Sequence, residues 1–164
     1  MNRTLTNGFI GVLLLTLASC GFQLRGSATL PDSLKTMYVQ GINLQQDLGL
    51  DLKRGLTRND VHVLESYQEG SAVLTILENK VERRVLSVGS NAKVSEYSLH
   101  GTVSFKVIDG DGRVMSDIQK VEAQRDYRFN QEQVLASDQE EVLLRKELNQ
   151  QLVQSVLRQL SVLK

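Results

Sequence analysis

The 164-residue chain has one cysteine, one proline and no tryptophan, and its 19 basic residues are balanced by 19 acidic ones. A single cysteine excludes an intramolecular disulfide framework. A single proline, Pro31, excludes a proline-rich spacer. A formal net charge of zero leaves no bulk field to draw in nucleic acid, so an anionic partner must be met by a local patch. His62 and His100 are far apart in the sequence, and no Cys/His cluster has metal-ligand spacing. The motifs G-x-S-x-G and G-x-G-x-x-G are also missing. Asp109-Gly110-Asp111-Gly112 opens like a calcium loop, but its fifth position would be Arg113, so it reads as a hairpin turn. No metal, cofactor or catalytic constellation is expected, and the chain does not read as an enzyme.

What is present begins with Leu13–Gly26, LLLTLASCGFQLRG. Arg3 and the amino terminus form a short positive region, and Phe9–Leu17 (FIGVLLLTL) is an apolar run of nine residues. This is the layout of a secretory leader. The run is shorter than the ~20 apolar residues that a membrane-spanning helix needs. Leu17-Ala18-Ser19-Cys20 resembles the lipobox of bacterial lipoproteins, which implies a diacylglyceryl thioether and an acylated amino group on Cys20. Two or more acyl chains anchor a protein stably where one does not. The expected organisation is therefore 1–19 as a removed leader, 20–33 as a lipidated tether and 34–164 as a single domain. Gly21, in place of Asp, favours the outer membrane by resemblance to lipoprotein sorting.

Periodicity supplies the elements. Lys35–Gln40 reads as a first strand. Asn43 with Gln46 resembles a capping box, opening a helix whose Leu44, Leu48, Leu52 and Leu56 form a stripe that Arg58-Asn59 closes. Val61–Leu64 is a short strand. Ala72–Val88 is a long strand of imperfect alternation, with Leu74 and Ile76 on one side and Leu77, Val81 and Val85 on the other. Gly89-Ser90-Asn91 marks a turn. From Lys93 to Ile108, Tyr97, Leu99, Val103, Phe105 and Val107 alternate with polar residues, as in a half-buried strand. Ile118–Phe129 is a last strand. Ser137 with Glu140 resembles a second capping box, opening a helix to about Leu160. The expected fold is α+β: two helices on one face of a mostly antiparallel sheet of four or five strands, with a long projecting hairpin. A strand of ~16 residues is roughly 53 Å long, beyond what the helices would cover.

On that hairpin Arg83, Arg84 and Lys93 fall in the outer half and just past the turn. They read either as a solvated edge that resists aggregation or as a cationic tip for phosphates, whose geometry a guanidinium matches bidentately.

The whole resembles the LPS-assembly lipoprotein family (LptE, formerly RlpB). The resemblance rests on Cys20-Gly21-Phe22-x-Leu24-Arg25-Gly26, Leu30-Pro31, Glu96-Tyr97-x-Leu99 and Phe105-x-Val107-x-Asp109. It continues through Phe129-Asn130, Leu135-Ala136-Ser137-Asp138 and Leu157-Arg158-Gln159-Leu160. It implies an outer-membrane lipoprotein that plugs the lumen of the LPS-translocation β-barrel LptD, assists its assembly and binds lipopolysaccharide. Family members often carry lysine where this chain has Ser137, so Arg83, Arg84 and Lys93 are taken as the LPS contacts here. The competing expectations are an accessory lipoprotein of another outer-membrane machine, a periplasmic binding module, and a small periplasmic hydrolase.

Overall fold

The computed structural model describes residues 30–130 and 133–163. The expected leader, Cys20 and most of the expected tether lie outside them. Among the described residues there are five strands and two α-helices: β1 Thr36–Gln40, α1 Asp47–Arg58, β2 His62–Leu64, β3 Ala72–Val88, β4 Val94–Ile108, β5 Val114–Arg128 and α2 Val134–Ser161. One turn of 3-10 helix, Asp32–Leu34, precedes β1. Leu30 and Leu34, which the sequence places at the tether boundary, are already in the core.

The strands form one sheet in the order β2-β1-β3-β4-β5. β1 runs parallel to both β2 and β3. β3, β4 and β5 form an antiparallel meander. Both helices lie on one face, and a single core joins Met37 and Val39 of β1, Leu52 and Leu56 of α1, Leu99, Val103 and Phe105 of β4, and Leu148, Leu152 and Val156 of α2. Two of the glycines that sit too close to a neighbour for a side chain position the elements. A Cβ added at Gly101 would lie 2.8 Å from Leu152 Cδ1 and 2.9 Å from Leu148 Cδ2, so α2 rests on bare backbone there. Gly41, at φ 85°, turns the chain out of β1 against the Ile76 carbonyl.

Four expectations are corrected. The break in alternation along β3 comes from a bulge: Ile76 pairs with Phe105 but Glu78 pairs with Ser104, leaving Leu77 extra. A bulge reverses which face later residues take. Past it Val81 returns to the helix-covered face with Ile76, packing against the core, while Leu77 is exposed. β5 begins at Val114 and not at Ile118, because a second irregularity (Phe105↔Gln119, then Val107↔Ser116) hides its alternation. Neither capping box caps a helix. Asn43 Oδ1 accepts from the Gln45 N–H at 2.9 Å in a turn, and α1 starts at Asp47 behind an uncapped Gln46. Ser137 lies inside α2, which starts at Val134. Its buried hydroxyl sits 3.5 Å from the backbone N–H of Asn130.

The long hairpin is not bare, because β5 follows β4 out to the Glu96↔Arg128 pair. What it lacks among the described residues is a neighbour on the β3 side: β1 stops at the Gln40↔Thr75 pair, and no described strand pairs with the rest of β3 on that side.

Candidate ligand-contact surface

The meander has two unlike faces. On the helix-covered face Arg83 lies over the Tyr97 ring, 4.6 Å from its centroid, a cation–π arrangement. Its Nη1 donates to Glu141 Oε2 of α2 at 3.0 Å. The same carboxylate accepts from the Tyr127 hydroxyl, and its Oε1 accepts from Arg145 Nε and Nη2 at 2.9 and 2.7 Å. Burial alone would raise the Glu141 pKa, but the donors Tyr127, Arg145 and Arg83 together hold it below the ordinary carboxylate range. Burial, then the bond to Glu141, pushes Tyr127 up to about 12. Tyr97 packs edge-on against Phe129 at 5.2 Å. The cluster fastens the outer meander to α2.

The opposite face is polar and uncovered by helix. Arg84 and Lys80 flank Glu82, at 2.7 and 2.5 Å. The bonds from Lys80 and Arg84 lower the Glu82 pKa to about 2. Lys120 meets Glu122 at 2.7 Å. Arg84, His100, Thr102, Glu122 and Gln124, together with Gln151 of α2, line a shallow depression of about 470 Å³. Beside it the Ser98 hydroxyl donates to Asp126 Oδ1 at 2.6 Å and lies 3.0 Å from His100 Nε2. The hydroxyl has a single proton, and it goes to the carboxylate, so His100 is left to donate. Nucleophilic activation needs the reverse order, with the imidazole taking that proton and the acid holding the imidazole. Ser98 is also 1% exposed.

Lys93 closes the β3–β4 turn. The Gly89 N–H donates to the Lys93 carbonyl at 2.8 Å, and Asn91 Oδ1 accepts from the Lys93 N–H at 3.1 Å. The Lys93 side chain is exposed. The three predicted cations are thus not brought together: Arg83 is engaged inside the helix-covered face, Arg84 lies on the polar face, and Lys93 is at the tip. Adjacent strand residues point to opposite faces, so Arg83 and Arg84 could not share one. The Glu141–Tyr127 node escaped the sequence reading. Its only trace was an acid on the covered side of α2, at i+4 to Arg145.

An α+β domain with a wet sheet face and a charged tip defines a class of binding or assembly module. Within that class the lipopolysaccharide-assembly family LptE matches residues 34–160, and the chain belongs to this family of lipoproteins. It is 28% identical over 160 residues to the LPS-assembly lipoprotein LptE of Photorhabdus laumondii, covering 98% of this chain and 87% of that one. The Pectobacterium atrosepticum protein of the same name is 26% identical, with 98% and 86% covered. Among solved structures, uncharacterized lipoprotein B from Nitrosomonas europaea superposes with a TM-score of 0.69 at 28% identity, over 86% of this chain and 90% of that one. Rare lipoprotein B from Shewanella oneidensis gives 0.67 at 25% identity, over 77% and 93%. The family is one of LPS assembly, not a known enzyme family.

Proposed function

We propose that the protein is anchored through lipid on Cys20 in the outer membrane, where it partners the LPS-translocation barrel LptD as plug and assembly factor and binds lipopolysaccharide without catalysis. Family membership over 34–160 carries this reading. The uncovered polar face of the meander supports it physically, since such a face is stable against a water-filled lumen and would be unstable against lipid. Lys93 and Arg84 offer contacts to lipid A phosphates, while Arg83 holds the hairpin to α2.

Affinity purification of the tagged full chain from detergent-solubilised outer membrane tests the partnership. LptD is expected to co-purify in stoichiometric amount; a different barrel, or none, overturns the reading. For the ligand, each charge-assisted phosphate contact is worth about 1.5–3 kcal/mol. Arg84→Asp with Lys93→Asp should therefore weaken LPS binding about tenfold or more at low salt, since about 1.4 kcal/mol is a factor of ten. Equal affinities at matched stability would leave the tip as a solvated edge only.

A further inference from the structure

The helical side of the molecule holds a second charged feature, remote from the hairpin tip. α1 and α2 pack tightly at Gly55, where an added Cβ would lie 3.0 Å from both Leu157 Cδ1 and Val153 Cγ1. Beside this contact the helices part into a cleft of about 520 Å³ floored by Gly55, Val153 and Leu157. Arg54, Arg58 and Lys146 line it with the amides of Gln150 and Gln154, and Asp51 is its only acid. Some cations elsewhere are matched closely, Arg84 with Glu82, Lys120 with Glu122 and Arg145 with Glu141 each at 2.7 Å, while Arg113, Arg125 and Arg128 hold their acids more loosely, at 3.5, 3.6 and 3.8 Å. Here Arg54 reaches Asp51 only at 3.9 Å. Arg58 and Lys146 have no ion pair or side-chain hydrogen bond to any described residue. Arg54 and Arg58 are one turn apart on one helix face, a like-charge spacing that is unfavourable until an anion sits between them.

Across the Arg54–Arg58 ridge lies a second concavity of about 550 Å³, bordered by the half-buried Leu44 and Leu50 and by Lys53. A cationic cleft and an apolar groove sharing two arginines match a ligand with a phosphate head and an alkyl body. The geometry points to a binding site for the phosphate headgroup of an amphiphile in the α1–α2 cleft, with the alkyl portion along Leu44 and Leu50. Two guanidiniums and an ammonium suit a dianionic phosphomonoester, whose oxygens accept bidentate N–H bonds. Gly55 is part of the site as its floor, where the two helices come into contact. The site is independent of the barrel partnership proposed above and is additional to the tip contacts.

Backbone NMR of the full chain in neutral detergent, titrated with hexyl phosphate, inorganic phosphate and hexyl glucoside, separates the sources. Hexyl phosphate should move the amides of Leu50, Gly55 and Asn59 and bind at least tenfold more tightly than inorganic phosphate, with hexyl glucoside weaker than both. Arg58→Gln with Lys146→Gln should reduce binding of both phosphates tenfold or more, and Arg58→Lys with Lys146→Arg should restore most of it. Arg113→Gln, in the β4–β5 turn, should change nothing. Unaltered affinity in the glutamine pair, or shifts centred on Lys93 and Arg84, overturns the cleft. Equal binding of hexyl and inorganic phosphate overturns the amphiphile assignment. LptD should still co-purify with the cleft variants, so failure of the wild-type partnership would overturn only the previous reading.

Discussion

Glu141 shows how one side chain can decide the placement of a whole meander. Its carboxylate is 13% exposed and accepts from Arg83, Arg145 and Tyr127, which come from β3, α2 and β5. Because the folded pKa is depressed, the folded state binds fewer protons than the unfolded one around the ordinary glutamate value of about 4.3. The group's stabilisation is therefore complete above that value and is lost as pH falls through the lower folded pKa. Glu141→Gln should flatten this part of the acid limb of a melting-temperature profile. At pH 7 it should remove about 1–3 kcal/mol, since the Tyr127 hydroxyl and Arg83 lose a charged acceptor. An acid limb as steep as wild type would show that Glu141 is not the group titrating. Tyr127 acts at the other end: with its pKa raised to about 12, stability falls as pH climbs above 10.0.

At the scale of elements, the contact of α2 with β4 is the most demanding. Leu148 and Leu152 are fully buried and lie over Gly101, whose strand neighbours are Val81 and Ala123. Leu148→Ala with Leu152→Ala removes two side chains worth about 2–5 kcal/mol each, against a total of about 5–15 kcal/mol for a domain. The double variant should be unfolded or nearly so by urea titration; a wild-type midpoint would make α2 peripheral. The opposite error, Gly101→Val, drives a branched side chain into the same two leucines and should cost about 1–3 kcal/mol through overpacking. Its signature would be a lowered midpoint with an unchanged denaturant slope.

Two features govern the molecule as a whole. The first is its open edges: among the described residues β3 beyond Thr75 has no partner on its outer side, and β5 is the last strand of the sheet. Exposed Val85, Leu86 and Val88 along that stretch would invite pairing with another chain. Lys80, Glu82, Arg83 and Arg84 interrupt it with charge, so the solvated-edge role of the two arginines coexists with any contact to ligand. The second is the proposed tether. Cys20→Ala should abolish palmitate labelling and move the protein from the membrane to the soluble periplasmic fraction. Retention of label on that variant would place the lipid elsewhere.

The sequence alone determined the buried faces of β4, α1 and α2 and the order of the elements along the chain, but not the faces of β3 beyond its bulge. Strict alternation over β4 and the leucine stripes of α1 and α2 follow from side-chain periods of 2 and 3.6, which are local properties. β1, β2 and β4 accordingly lie within one residue of their expected bounds. The family motifs were likewise legible, since they are contiguous strings. Helix starts were not, because a residue that can cap a helix can equally close a turn, as Asn43 does, or sit within a helix, as Ser137 does. The Leu77 bulge was written only as imperfect alternation, and its meaning came from the partner strand, which decides which residue is extra. Tertiary structure also decided what the charges do. It took Arg83 into a node with Glu141 and Tyr127, left Arg84 on the other face, and set Arg58 beside Lys146 across two helices far apart in the chain. Charge pairing depends on distances between elements, and those are fixed only when the core closes.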